Sequence, residues 1–162
     1  MKQRTLQELV TVPAEADYVQ HFQALSTVNL EIREHGATAH RLLRKAILEM
    51  DVGNYHAALD AARDAVEAKP DLLEARYQEG LALILLSFAK VGVLAGSQGM
   101  ASPAARPRRL LVQALDAFST VAAANPEDEE AAADMSALAA FLEDVVEDDA
   151  LEAELRAMFE DA

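Results

Sequence analysis

Cysteine and tryptophan are both absent from this 162-residue chain. Without cysteine there is no disulfide framework, no thiolate metal ligand and no thiol nucleophile, a usage that fits a reducing cytoplasm. Aromatic residues are scarce, with three Tyr and five Phe, so close packing over alanine and leucine must replace a core of large rings. Long apolar runs are missing as well. The most hydrophobic segment, Leu81 to Ala95, contains Lys90 and is flanked by Gly80 and Gly96. It falls short of the roughly 20 apolar residues that a membrane helix needs and reads as a buried helix. Near the start, Gln7 and Glu8 interrupt the apolar stretch that a secretory signal would require. Alternating β-branched runs are almost absent, which leaves strands without support.

What is present is alanine, acid and helical periodicity. Hydrophobic residues make up 52% of the chain, enough for the core of a single domain spanning residues 1–162. The net charge of -14 is unevenly spread: residues 1–69 carry -2, residues 70–124 carry +1 and residues 125–162 carry -13. An end this acidic repels phosphate backbones, so nucleic acid is not an expected partner.

The spacing of apolar residues predicts a succession of helices. A first long one runs from about Pro13 to Glu34, with Tyr18, Phe22, Leu25, Val28 and Ile32 as its buried stripe. His35-Gly36 stops it, and Thr38 caps a second helix over about Ala39 to Val52. Gly53-Asn54 breaks that pattern before a third helix, about Tyr55 to Ala68. A longer fourth helix extends from near Asp71 to about Val91. Gly92 to Pro107 reads as a loop, Arg108 to Ala124 as a fifth helix and Glu127 to Val146 as a sixth. Met135, Leu138, Phe141, Leu142 and Val145 form the sixth helix's apolar face, and Ala150 to Phe159 supplies a short last helix.

Residues 39–72 have the parts of a helical hairpin. Leu42 and Ala46 stand at a large and a small position of the first helix, with Gly53-Asn54-Tyr55 at the turn. Ala58, Ala62 and Ala65 line the second helix, and Pro70 closes the unit. Ala114, Phe118, Val121 and Pro126 repeat the spacing of Ala58, Ala62, Ala65 and Pro70 after an interval of 56 residues. Tyr77, Gly80 and Leu83 serve as the first helix of this second unit, with Gly80 where the partner helix comes closest. The pattern resembles the tetratricopeptide repeat, a unit of about 34 residues in two antiparallel helices. Glu49 and Lys45 stand where that family usually has apolar residues. The resemblance implies an all-α fold of antiparallel hairpins in a right-handed α-α superhelix, with an insertion in the second repeat. The repeat-like core would span residues 39–126, preceded by an arm and helix (1–38) and followed by acidic capping helices (127–162), which equally suit a degenerate third unit. An ordinary alanine-rich helical bundle is the alternative.

In such an array the first helices of the units line a concave groove. The resemblance places His40, Leu43, Arg44, Ile47, Met50 and Asp51 there from one unit, and Glu74, Tyr77, Gln78, Leu81, Ile84 and Leu85 from the next. Familiar members grip a C-terminal carboxylate with Lys, Arg and Asn. Here only His40 and Arg44 lean that way, while Leu43, Ile47 and Leu81 occupy the gripping positions. An apolar groove suits an extended or amphipathic protein segment. It also suits the chain's own N-terminal helix or a second copy of the chain. The expected function is therefore a non-catalytic binding scaffold; a self-associating structural protein, and an enzyme or metal-dependent helical protein, stand as alternatives.

Chemistry-bearing motifs are sparse. The serines lie in no GxSxG context, and Gly92, Gly96 and Gly99 lack the lysine of a phosphate loop. Glu143, Asp144, Glu147 and Asp148 share a helical edge without an accompanying Glu-x-x-His, and His21, His35, His40 and His56 show no metal-binding spacing. Neither a catalytic residue, a cofactor nor a metal is expected. Arg106, Arg108 and Arg109 flank the start of the fifth helix, where cations oppose the dipole, and are candidates for pairing with the acidic end.

Overall fold

Helices α1 (Tyr18–His35), α2 (Ala39–Asp51), α3 (Tyr55–Ala68), α4 (Leu73–Lys90), α5 (Pro107–Ala124) and α6 (Glu129–Asp144) follow one another along the chain. The computed structural model describes residues 18–90 and 107–144, and among these there is no strand. Each helix packs on the next in sequence, and α2 also lies against α4. The fold is all-α, with the sequential helix contacts of repeat-like packing. The expected helix start at Pro13, the loop after Gly92 and the last helix over Ala150 to Phe159 lie outside the described residues, as do Arg106, Glu147 and Asp148.

Each described turn has a local cause. Gly36 ends α1 with φ +87°, and its N–H donates to the Ile32 carbonyl at 2.9 Å. The Arg41 guanidinium, one helix later, donates to the His35 and Gly36 carbonyls at 3.2 and 3.0 Å. The Thr38 hydroxyl caps α2 by accepting from the Arg41 N–H at 3.3 Å, as its position predicted. At the other end of α2, Gly53 takes φ +79°, donating to Met50, while Asn54 donates to the Glu49 carbonyl at 2.8 Å. These paired bonds are a Schellman closure, which needs a residue tolerant of positive φ at Gly53.

The interval of 56 residues noted in the sequence returns in the hydrogen bonds. Lys69 donates to Ala65 and Leu72 to Lys69, each at 3.0 Å; Asn125 donates to Val121 and Asp128 to Asn125, also at 3.0 Å. In both places a proline, Pro70 or Pro126, follows the helix it helps to end. Burial repeats too. Ala58, Ala62, Ala65 and Ala75 are fully buried, as are Ala114, Phe118 and Ala131 at the matching positions, with Val121 nearly so. Helices α3 and α4 are thus joined as α5 and α6 are.

Small residues govern how closely the helices meet. Ala46, Ala61 and Ala62 form one cluster between α2 and α3, where short side chains let the two backbones approach. Leu43 joins Ala65 and Ala75 in a second, bordered by Leu42, Ile47, Val66 and Leu72. The main core runs from Met50 and Tyr55 through Leu83, Ile84 and Leu86 to Leu111, Phe118, Leu138 and Leu142. Met135 and Phe141 pack at its edge, so the apolar face expected for the acidic sixth helix is seated in the core wherever it is described. Arg63 ties three helices at the surface, donating to Glu79 on α4 at 3.4 Å and to Gln113 on α5 at 3.2 Å.

Two positions show the packing at its tightest and at its least satisfied. A Cβ added to Gly80 would sit 2.6 Å from Phe118 Cε1 and 2.9 Å from Cδ1, closer than carbon atoms tolerate. Gly80 is therefore the small position that the repeat spacing assigned to it. Glu49, where the family pattern has an aromatic residue, is only 6% exposed and its Oε2 has no hydrogen-bond partner. One expectation fails: Phe22, placed in the buried stripe of the first helix, is 53% exposed. Only Leu25 and Val28 of α1 are buried, and packing mainly on α2 among the described helices buries a narrower arc of the helix than a full stripe requires.

Gly80→Ala should lower stability by about 1–2 kcal/mol even though alanine is the better helix former by about 1 kcal/mol. A Phe118→Leu change in the same chain should recover part of that loss, which equilibrium denaturation of the four-variant cycle measures. Glu49→Met should stabilise by about 1 kcal/mol by removing an under-bonded carboxylate from the core. A clear loss of stability in that variant would show that the carboxylate is satisfied.

Candidate functional site

A concavity of about 370 Å³ opens where the start of α4 faces the end of α5 and the start of α6. Leu73, Glu74, Tyr77 and Gln78 form the α4 wall; Val121 and Asn125 come from α5, and Asp128 and Glu130 from the turn and first residues of α6. Leu73 with Tyr77, and Glu74 with Gln78, are four residues apart and so form two adjoining rows on one side of α4. Their partners lie opposite because α5 runs antiparallel to α4, bringing Val121 and Asn125 level with its first turns. Helix α2 packs directly against α4, whereas the backbones of α4 and α6 stand further apart. The cleft occupies that wider gap.

Tyr77 joins the helices that border the cleft. Its ring leans on Phe118 with centroids 5.3 Å apart and planes at 41°. Its hydroxyl donates to Oδ2 of Asp134, a carboxylate of α6 with no exposed surface. A buried aspartate is costly unless it accepts hydrogen bonds, and this one accepts from Tyr77 of α4. Asp128 Oδ1 accepts from the Ala131 N–H at 3.0 Å and so caps α6. Glu74 lies exposed in the first turn of α4. The acidic residues of the rim thus sit at two helix N-termini, where carboxylates are favoured by the dipole.

The residues expected to line one continuous groove are divided by the structure. Glu74, Tyr77 and Gln78 line the cleft. His40 and Arg44 are exposed on α2, the latter donating to Glu31 of α1 at 3.0 Å. Ile47 and Leu81 are half-buried at the edges of two core clusters. Leu43, Met50, Ile84 and Leu85 are buried among the chain's own helices and present almost no surface. Asn125, Asp128 and Glu130 were not singled out as groove residues. Their signal was available in the recurrence of Lys69-Pro70-Asp71-Leu72 as Asn125-Pro126-Glu127-Asp128, which sets the first residues of α6 beside those of α4.

A second polar cluster joins α1 to the α2–α3 turn. His21 Nε2 lies 3.8 Å from Asp51 Oδ2, and His21 Nδ1 is buried without a partner. Burial pushes the Asp51 carboxyl above its ordinary value, an effect His21 partly offsets. Burial, with Tyr18 nearby, also raises the Tyr55 phenol. Among the described residues no three His, Asp or Glu side chains gather so as to hold a metal ion. No helix among them is long and apolar enough to cross a membrane.

The chain matches no protein-family model, and no curated protein or solved structure matches it significantly.

The bond between Tyr77 and Asp134 should be measurable as a coupling. In a cycle of Tyr77→Phe, Asp134→Asn and the double variant, each single change should cost about 1–3 kcal/mol, with about 1–2 kcal/mol of non-additivity. Additive losses would mean that the two groups are stabilised independently.

Proposed function

We propose that this protein is a non-catalytic scaffold of tetratricopeptide-like hairpins that holds a protein or peptide segment in the cleft between α4, α5 and α6. The observation carrying the proposal is the cleft itself: about 370 Å³, walled by Tyr77, Leu73 and Val121 and rimmed by Glu74, Asp128 and Glu130. Aromatic and aliphatic walls provide apolar area, while Gln78 and Asn125 provide amide donors and acceptors for a backbone or polar side chain. A carboxylate rim favours a lysine or arginine in the segment and disfavours an acidic one. The fitting partner is an amphipathic or extended segment with basic residues, and the seven acidic groups of residues 125–144 extend the same preference over α6. That acidity weighs equally against nucleic acid. The hairpin closures that recur at Lys69 and Asn125 support the repeat reading.

A structural, self-associating role is the second reading. It is favoured by the burial of Leu43, Ile84 and Leu85, which removes much of the apolar groove from any outside partner.

The test is titration of isotope-labelled protein with two amphipathic peptides of matched apolar content, one lysine-rich and one glutamate-rich. The lysine-rich peptide should shift the amide signals of Tyr77, Gln78 and Asn125, and Glu74→Lys should weaken its binding at least about tenfold. Shifts confined to other surfaces, or affinity indifferent to Glu74→Lys, would remove the cleft as the binding site.

A further inference from the structure

The outer face of α1 carries apolar surface that the fold does not use. Val19 is 64% exposed, Phe22 53% and Leu30 44%, and these are three of the four large hydrophobic residues exposed in the described chain. At about 100° per residue they fall with Ser26 in an arc of roughly 80°, turned well away from the buried line of Leu25 and Val28. They therefore form a second, coherent stripe on a helix whose first stripe is already packed.

We infer that this stripe docks on the same stripe of a second copy of the chain, with the two α1 helices antiparallel and crossing at Ser26. The order of residues is self-complementary about that point. Phe22 and Leu30 stand four residues either side of Ser26, and Val19 and Arg33 stand seven either side. An antiparallel two-fold crossing sets Phe22 against Leu30 of the partner subunit and Val19 against the aliphatic stem of Arg33 of the partner subunit. Ser26, in the middle of Tyr18–His35, is the small residue at which two helices approach most closely.

Charge selects this face over the others. The stripe has Arg33 and Glu34 at its C-terminal end and no other charged residue, so it is locally neutral in a chain of -14. Residues 125–144 carry -7 and lie near the opposite end of the helix order, where α6 packs on α5. Two copies joined through α1 keep the acidic groups of 125–144 far apart, whereas contact through α6 would bring them together. The stripe lies apart from the cleft of α4, α5 and α6, so this contact stands independently of the binding role proposed there.

The 162-residue chain has no cysteine, which permits a direct test. Sedimentation velocity from about 1 to 100 µM should show a concentration-dependent dimer. Phe22→Glu should raise its dissociation constant at least about tenfold, since it buries an unpaired carboxylate at the contact, with unchanged helicity by circular dichroism. Under mild oxidation Ser26→Cys should form a disulfide-linked dimer, because the two copies meet there, while Thr120→Cys on the exposed side of α5 should not. A monomer throughout that range overturns the proposal, and so does a dimer indifferent to Phe22→Glu. A Leu9→Cys/Ser26→Cys chain that closes within one molecule instead of between two would assign the stripe to the chain's own first residues, and would equally overturn it.

Discussion

The contact between the Phe118 ring and the backbone of Gly80 sets the geometry of half this molecule. Phe118 is fully buried, and its ring edge occupies the volume that any side chain at Gly80 would claim. The ring can lie there only because α4 offers bare backbone, and that holds α5 close against α4. Tyr77, one turn before Gly80, then leans on the same ring at a tilt. Its hydroxyl is thereby carried to Asp134, so α6 is connected to α4 through a chain of contacts that begins at one glycine. The cleft is the space left beside that chain.

Elsewhere alanine does what glycine does at position 80. Ala46, Ala58, Ala62 and Ala65 have no exposed surface, and they bring α2, α3 and α4 together without large interlocking side chains. Such an interface gains little hydrophobic area per residue but many close backbone contacts, and dispersion over those contacts carries much of its attraction. It also tolerates enlargement poorly, because a close-packed seam has no void to receive another methylene.

Charge gives the helix order a direction. The first 69 residues are nearly balanced, at -2, while residues 125–162 hold -13. The cleft lies toward the acidic end and the uncovered apolar stripe of α1 lies at the neutral end. A partner bearing basic residues and a second copy of the chain would accordingly be drawn to different parts of the molecule. Both attractions differ in kind: the first weakens with added salt, the second rests on apolar burial.

Local signals determined much of this protein in advance. Thr38, Gly36, Gly53 and the two prolines mark helix ends because capping and positive φ are properties of one or two residues and their immediate neighbours. The 56-residue recurrence likewise set Phe118 on an inward position, and the hairpin spacing made Gly80 the small position where a partner helix comes closest, since repeat spacing encodes which positions face inward. Burial is another matter, because it depends on how many neighbours a helix has. Phe22 fits an apolar period of α1 as well as Leu25 does, yet among the described helices α1 packs mainly on α2 and leaves Phe22 in solvent. Leu43, Ile84 and Leu85 fit the groove positions of a repeat, yet adjoining helices close over them. The cleft draws Tyr77 and Asn125 together from distant parts of the chain, and its width follows from the spacing of α4 and α6. Helix ends and inward positions are written in short stretches of sequence; which inward positions stay covered, and where a gap remains, was decided only when the helices packed.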